Sequence, residues 1–159
     1  ARADAEEREV RLTAESLDHG LRVWADPDGL RHLADMLIRN ALEATPKGGL
    51  VRVSTVGDAK ALRWTIHDSG RGITTAEGEH LFDPFFCGRQ AGRGLGMGLP
   101  RASRFVAQTG GEIRWHATPG QGSTFKVRLP LAEPPRPLAT VGDQAPVPYS
   151  KGEDRTASA

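Results

Sequence analysis

The apolar residues of this chain switch several times between helical and strand spacing, and the order of the switches limits the fold more than any other feature. Asp26 is placed to cap a helix with Pro27 at its first position, and Leu30, Leu33, Leu37, Ala41 and Ala44 then recur at helical intervals until Pro46, Gly48 and Gly49 stop them. Strands are expected near Val51 to Val56 and Leu62 to Asp68, where Leu62, Trp64 and Ile66 alternate with Arg63, Thr65 and His67. A second helical stripe, Leu99, Ala102, Phe105 and Val106, closes at Gly110 and Gly111, and strands follow near Ile113 to His116 and Ser123 to Leu129. Val10 to Ala14 and Leu21 to Trp24 read as an opening hairpin. The order β, β, α, β, β, loop, α, β, β predicts an α+β, two-layer sandwich with a mixed sheet rather than a doubly wound parallel sheet.

Composition narrows the class. The chain has 159 residues, 38% hydrophobic and 26% charged, enough for one globular domain with a sizeable core. Its 21 basic and 20 acidic residues are intermixed, which leaves no footprint for nucleic acid or for a polybasic membrane contact. The single cysteine, Cys87, cannot form an intramolecular disulfide, and no His/Cys spacing matches a zinc framework. There is no membrane-length apolar run and no secretory leader; the missing initiator Met is expected of a piece of a longer protein. Residues 1–8 read as a flank, 9–131 as the domain, and 132–159, rich in Pro, Ser and charge, as a disordered tail. No internal repeat or heptad is present, and the chain alone is expected to be monomeric.

Three polar residues interrupt the apolar faces. Asn40 lies three residues after Leu37 and four before Ala44, Asp68 continues the set Leu62, Trp64, Ile66, and Ser123 shares the parity of Phe125, Val127 and Leu129. A satisfied core amide, a turn start and a strand end would account for them one at a time. Their convergence from three segments on one layer points instead to a shared pocket.

Glycines frame that pocket. Gly70 and Gly72 follow Asp68 in DSGRGI, where a turn or a close ligand approach both need a missing Cβ. In GRGLGMG, Gly92, Gly94, Gly96 and Gly98 alternate with larger residues before a helix, an arrangement that can turn backbone N–H groups toward phosphate oxygens. The Lys-Ser/Thr of a P-loop is absent, and no βαβ context supports a dinucleotide fold.

Taken in order, IRNALEATP, DSGRGI, LFDPFF and GRGLGMGLPRA resemble the N box, first glycine box, F box and second glycine box of the ATP-binding catalytic domain of bacterial sensor histidine kinases. That domain belongs to the superfamily of gyrase, heat-shock chaperone, histidine kinase and mismatch-repair ATPases, with a two-layer α/β sandwich, about three helices and a mobile lid. GQGSTFKVRLP resembles its closing strand, and the resemblance covers about Val23 to Pro130. It implies that Asn40 holds Mg²⁺ against the triphosphate of ATP. Asp68 would accept from the adenine amino group, with Gly70 and Gly72 shaping the approach and Ser123 nearby. Ile73 and Leu99 would line the base pocket, Phe82 and Phe86 would hinge the lid, and Gly94, Gly96 and Gly98 would shape its phosphate end.

The chain departs from the family at three places. Met36 stands where a second Asn is common, and Glu43 where a Lys is common; Glu43 either orients water or a metal ligand, or faces solvent. CGRQ replaces Thr-Thr-Lys after the F box, which leaves Arg89, ahead of Arg93, as the candidate cation for the γ-phosphate. The resemblance implies a cytoplasmic protein-histidine kinase of a two-component system, acting on the dimerisation and histidine-phosphotransfer helices of a parent protein, with a response regulator receiver domain downstream. None of His19, His32, His67, His80 and His116 has the context of a phosphoacceptor. A serine-kinase anti-sigma factor, a gyrase-like ATPase and a nucleotide-sensing pseudokinase are the alternatives. A gyrase-like general-base Glu is missing upstream of Asn40, where LADMLIRN offers only Asp35.

Overall fold

The Asp26 carboxylate accepts the amide of Gly29 at 2.8 Å and, with Pro27 at the first position, starts the helix the sequence predicts. In a computed structural model, whose described residues are 1–16, 22–58, 60–86 and 96–131, this helix runs Pro27–Ala44. The described elements in chain order are α1 (Arg2–Glu7), β1 (Arg11–Ser16), α2 (Pro27–Ala44), β2 (Leu50–Gly57), β3 (Ala61–Asp68), α3 (Thr75–Glu79), α4 (Gly98–Gln108), β4 (Glu112–Thr118) and β5 (Gly122–Pro130). Thr45 ends α2 by donating its hydroxyl to the Ala41 carbonyl at 2.7 Å, and Pro46 cannot extend it.

The five strands form one sheet in the order β1-β2-β3-β5-β4. All neighbours are antiparallel except β1 and β2, which are parallel, so the sheet is mixed as expected. Among the described residues the expected opening hairpin is not formed. β1 pairs with β2 from Arg11↔Leu50 to Ser16↔Thr55, while Val23, from the expected second arm, bridges Leu131 instead. A parallel partner needs a long crossover, and α2 supplies it. The helices number four among the described residues rather than about three, because short α1 and α3 flank the two long ones.

Leu33, Leu37 and Ala41 of α2 and Ala102 and Val106 of α4 pack on Val51, Val53, Ile66, Phe125, Val127 and Leu129 of the sheet in one core. The helices approach closely where they cross. A Cβ on Gly29 would run into the Phe105 ring, and one on Gly98 would sit 3.0 Å from the Met36 sulfur. α3 is too short and too exposed to show a helical stripe; Thr74 and Glu77 form a reciprocal capping box there and Gly78 lies against the Trp115 indole. Residues 132–159, read as a tail, lie outside the described residues. No helix of the described residues is long and apolar enough to cross a membrane.

Leu37 is 1% exposed at the centre of this core, whereas Thr74 caps a helix with no buried residue. Leu37→Ala is therefore expected to cost about 2–5 kcal/mol, and Thr74→Ala about 1 kcal/mol. Urea unfolding midpoints of the two variants check the ranking; equal losses would show that the core does not centre on α2.

Candidate functional site

Strand parity brings Asp68 and Ser123 side by side, since Asp68↔Ser123 is a register pair of β3 and β5. Both are buried, at 2% and 4% exposure, at the end of the sheet beneath α2. One oxygen of Asp68, Oδ1, accepts the amide of Gly70 at 2.9 Å and that of Ser123 at 3.2 Å. Burial pushes the Asp68 carboxyl above the ordinary carboxylate range, against the lowering effect of these two amides, the nearby His67 and the Ser123 hydroxyl. A carboxylate fixed through one oxygen and lifted in basicity is a strong, oriented acceptor.

The backbone around Asp68 leaves no room for side chains. A Cβ on Gly70 would meet the Ala44 carbonyl at 2.4 Å, and one on Gly122, at φ +94°, would strike the Asp68 carbonyl. Gly72 has φ +70°, and its Cβ would collide with the carbonyl of Thr118. Gly72 is therefore required by contact with the β4–β5 turn, before any ligand is considered. Further ties hold the loop: Arg71 donates its amide to Ala44 at 3.2 Å and accepts the Gly120 amide at 2.7 Å. Its guanidinium donates to Glu77 at 2.8 Å, the residue that closes the α3 capping box.

Between α2, this loop and the start of α4 lies an open trough of about 1280 Å³. Of the residues singled out in the sequence, Asn40, Glu43, Asp68, Gly72, Ile73, Phe86, Gly96, Gly98, Leu99 and Ser123 all line it. Gly70 does not. It is buried behind Asp68, where its amide orients the carboxylate. Phe82 does not line the trough either, and Leu81 takes that place. Arg89, Arg93, Gly94 and Cys87 lie outside the described residues.

On α2, Asn40 and Glu43 present oxygen donors to the trough, and Glu43 also meets Arg39 at 3.9 Å. Met36, one turn before Asn40, packs its thioether toward Gly98 and offers no hard donor. Among the described residues no three His, Cys, Asp or Glu converge as a metal cage. A divalent cation here would take most of its oxygens from phosphate and water, which fits a single amide ligand at Asn40. Arg71, Glu77 and Leu81 line the trough without having been singled out in the sequence. The Thr74-x-x-Glu77 capping signature was the one signal that could have flagged Glu77.

Comparison with known proteins identifies the family and the fold. A family model described as histidine kinase-, DNA gyrase B-, and HSP90-like ATPase matches residues 25–133. The sensor histidine kinase ZraS of Escherichia coli is 32% identical over 128 residues, 80% of this chain and 27% of the relative. The sensor kinase CckA of Brucella abortus is 34% identical over 150 residues, 82% of this chain and 15% of the relative. The chain thus spans about a quarter or less of these curated relatives. Among solved structures, the nucleotide-free catalytic domain of histidine kinase ThkA superposes with a TM-score of 0.71 at 25% identity, covering 81% of this chain and 84% of that domain. Full-length ShkA in complex with AMPPNP gives 0.72 at 25% identity, with 86% of this chain and 28% of ShkA covered. With its family model spanning the helix, the carboxylate shelf and the closing strands, the chain belongs to the histidine kinase-, DNA gyrase B- and HSP90-like ATPase family, as an ATP-binding catalytic domain of the sensor histidine kinase kind.

Proposed function

We propose that residues 9–131 bind Mg-ATP and present its γ-phosphate to a histidine on a helical module outside this chain, in a cytoplasmic two-component pathway that ends on a response regulator. The observation that carries the reading is the buried Asp68 carboxylate, whose Oδ1 is occupied by the amides of Gly70 and Ser123. Its remaining acceptor capacity suits the amino group of adenine, and guanine, with a carbonyl at that position, would face the carboxylate with like polarity. Ile73 and Leu99 supply the apolar walls, and Asn40 would hold the magnesium. Magnesium supplies charge neutralisation on the phosphates when bound. Glu43, on the trough wall, would orient a water of its shell, and Arg89 is the proposed cation for the γ-phosphate. What the protein contributes to such a transfer is mainly positioning and charge.

A second reading is favoured by one contact. Met36 is engaged with Gly98 and gives the metal no second amide, as in a domain that senses nucleotide without transferring phosphate. Incubation with Mg-ATP and the histidine-bearing module separates the two readings: a phosphorylated histidine supports the kinase, and tight ATP binding with no transfer supports the sensor.

Asp68→Asn is the informative substitution, because an amide oxygen can still accept from Gly70 and Ser123 while the other position becomes a donor facing the base. ATP affinity by calorimetry is expected to drop about 10- to 100-fold, the value of a hydrogen bond to a charged group. An affinity equal to wild type would refute the adenine assignment. Asn40→Ala is expected to weaken ATP binding in the presence of Mg²⁺ and to leave metal-free binding unchanged.

Stability carries a separate pH signature. Because the folded-state pKa of Asp68 is raised, the native state holds more protons than the unfolded state between the ordinary carboxylate value and the raised one. The Asp68 contribution to stability therefore declines as pH rises through that window. Asp68→Asn removes this decline, so its Tm should gain on wild type from pH 4 to pH 7. A constant Tm difference across that range would mean that the carboxyl is not destabilised by burial.

A further inference from the structure

The 21 basic and 20 acidic residues are intermixed along the sequence, yet strand periodicity sorts them in space. On the sheet face turned away from α2 and α4, the outward positions of β2 to β5 carry five exposed cations, Arg52, Arg63, Arg114, Lys126 and Arg128, and one carboxylate, Glu112. Register sets four of the cations into one block, with Arg63 opposite Arg128 and Arg114 opposite Lys126. Like charges placed directly across a ladder repel, and a face left only to water is better served by opposite signs at those positions. Two carboxylates reach this block of four. Glu112 faces Arg128 from β4 but is held by Arg114 at 2.7 Å, and Asp58 pairs with Arg63 at the end of its strand. Lys126 lies between Thr65 and Arg114, with no carboxylate directly beside it among the described residues.

We infer that this face docks an acidic, extended protein segment, with Lys126 at the centre of the contact. The fit is one of charge and spacing. Alternate residues of a strand stand about 7 Å apart, so Lys126 and Arg128 repeat at the interval of alternate carboxylates on an extended chain, and Arg114 and Arg63 continue the positive field onto the neighbouring strands. Other polyanions fit less well. A single-stranded nucleic acid needs aromatic platforms for its bases, and the aromatic residues of these strands, Trp64, Trp115 and Phe125, pack on the core side. A membrane surface is held by cations together with apolar side chains that enter it, and among the described residues this face exposes only Val56 as a large apolar one. None of the five cations lines the trough, so the contact stands apart from the nucleotide reading.

The test is fluorescence anisotropy with a fluorescein-labelled peptide of Glu-Thr repeats as probe. Binding should saturate at low salt and be lost at high salt. Lys126→Glu should weaken it about 5- to 10-fold, the effect of losing one exposed ion pair and gaining a repulsion. Arg104→Glu makes the same change in net charge on the exposed side of α4 and should leave binding unchanged. Lys126→Glu should also raise Tm, because a carboxylate opposite Arg114 replaces repulsion by attraction. Equal weakening by the two substitutions, or no binding by the wild type, would overturn the inference. Tighter binding of oligothymidylate or of phosphatidylserine vesicles, weakened by Lys126→Glu, would assign the face to another polyanion and overturn it as well. A fall in Tm would do the same, by showing that Lys126 serves the fold.

Discussion

The site depends on one buried carboxylate held at the end of a sheet. Asp68 sits opposite Ser123 on adjoining strands and accepts two backbone amides on a single oxygen. A lone carboxylate at 2% exposure would be costly to keep charged, and the two amides offset part of that cost, each such bond being worth about 1.5–3 kcal/mol. The rest of the loop follows from keeping those donors in place. Gly70 approaches the Ala44 carbonyl, Gly122 the Asp68 carbonyl and Gly72 the Thr118 carbonyl, so three backbone segments meet where side chains would collide.

The helix layer provides the opposite wall. α2 buries Leu33, Leu37 and Ala41 against the sheet while Asn40 and Glu43, on the adjoining face, look into the trough. Gly29 under Phe105 and Gly98 beside Met36 let α2 and α4 converge. The same helix therefore builds the core and one wall of the trough, and Met36 takes part in both. Its thioether lies beside Gly98 at the start of α4 and offers no hard oxygen donor.

Stability and the proposed function are also set against each other at Asp68. Burial raises the Asp68 carboxyl and strengthens it as an acceptor while lowering its contribution to folding at neutral pH.

The sequence by itself determined the layer architecture, α2 with its cap, and the inward parity of Asp68 and Ser123, because each depends on local periodicity and on one or two capping residues. It also carried the ordered motifs that place Asn40, Ile73 and Leu99 around one cavity. Only the tertiary structure decided that β1 lies parallel to β2 and that Val23 meets Leu131, since pairing partners are chosen by crossover length and by which edge is open. It likewise decided that Gly70 stands behind the carboxylate instead of on the trough wall, and that Gly72 answers to the Thr118 carbonyl. A glycine's spacing in a motif shows that a Cβ is unwelcome, but which atom excludes it is a matter of distances between segments far apart in the chain.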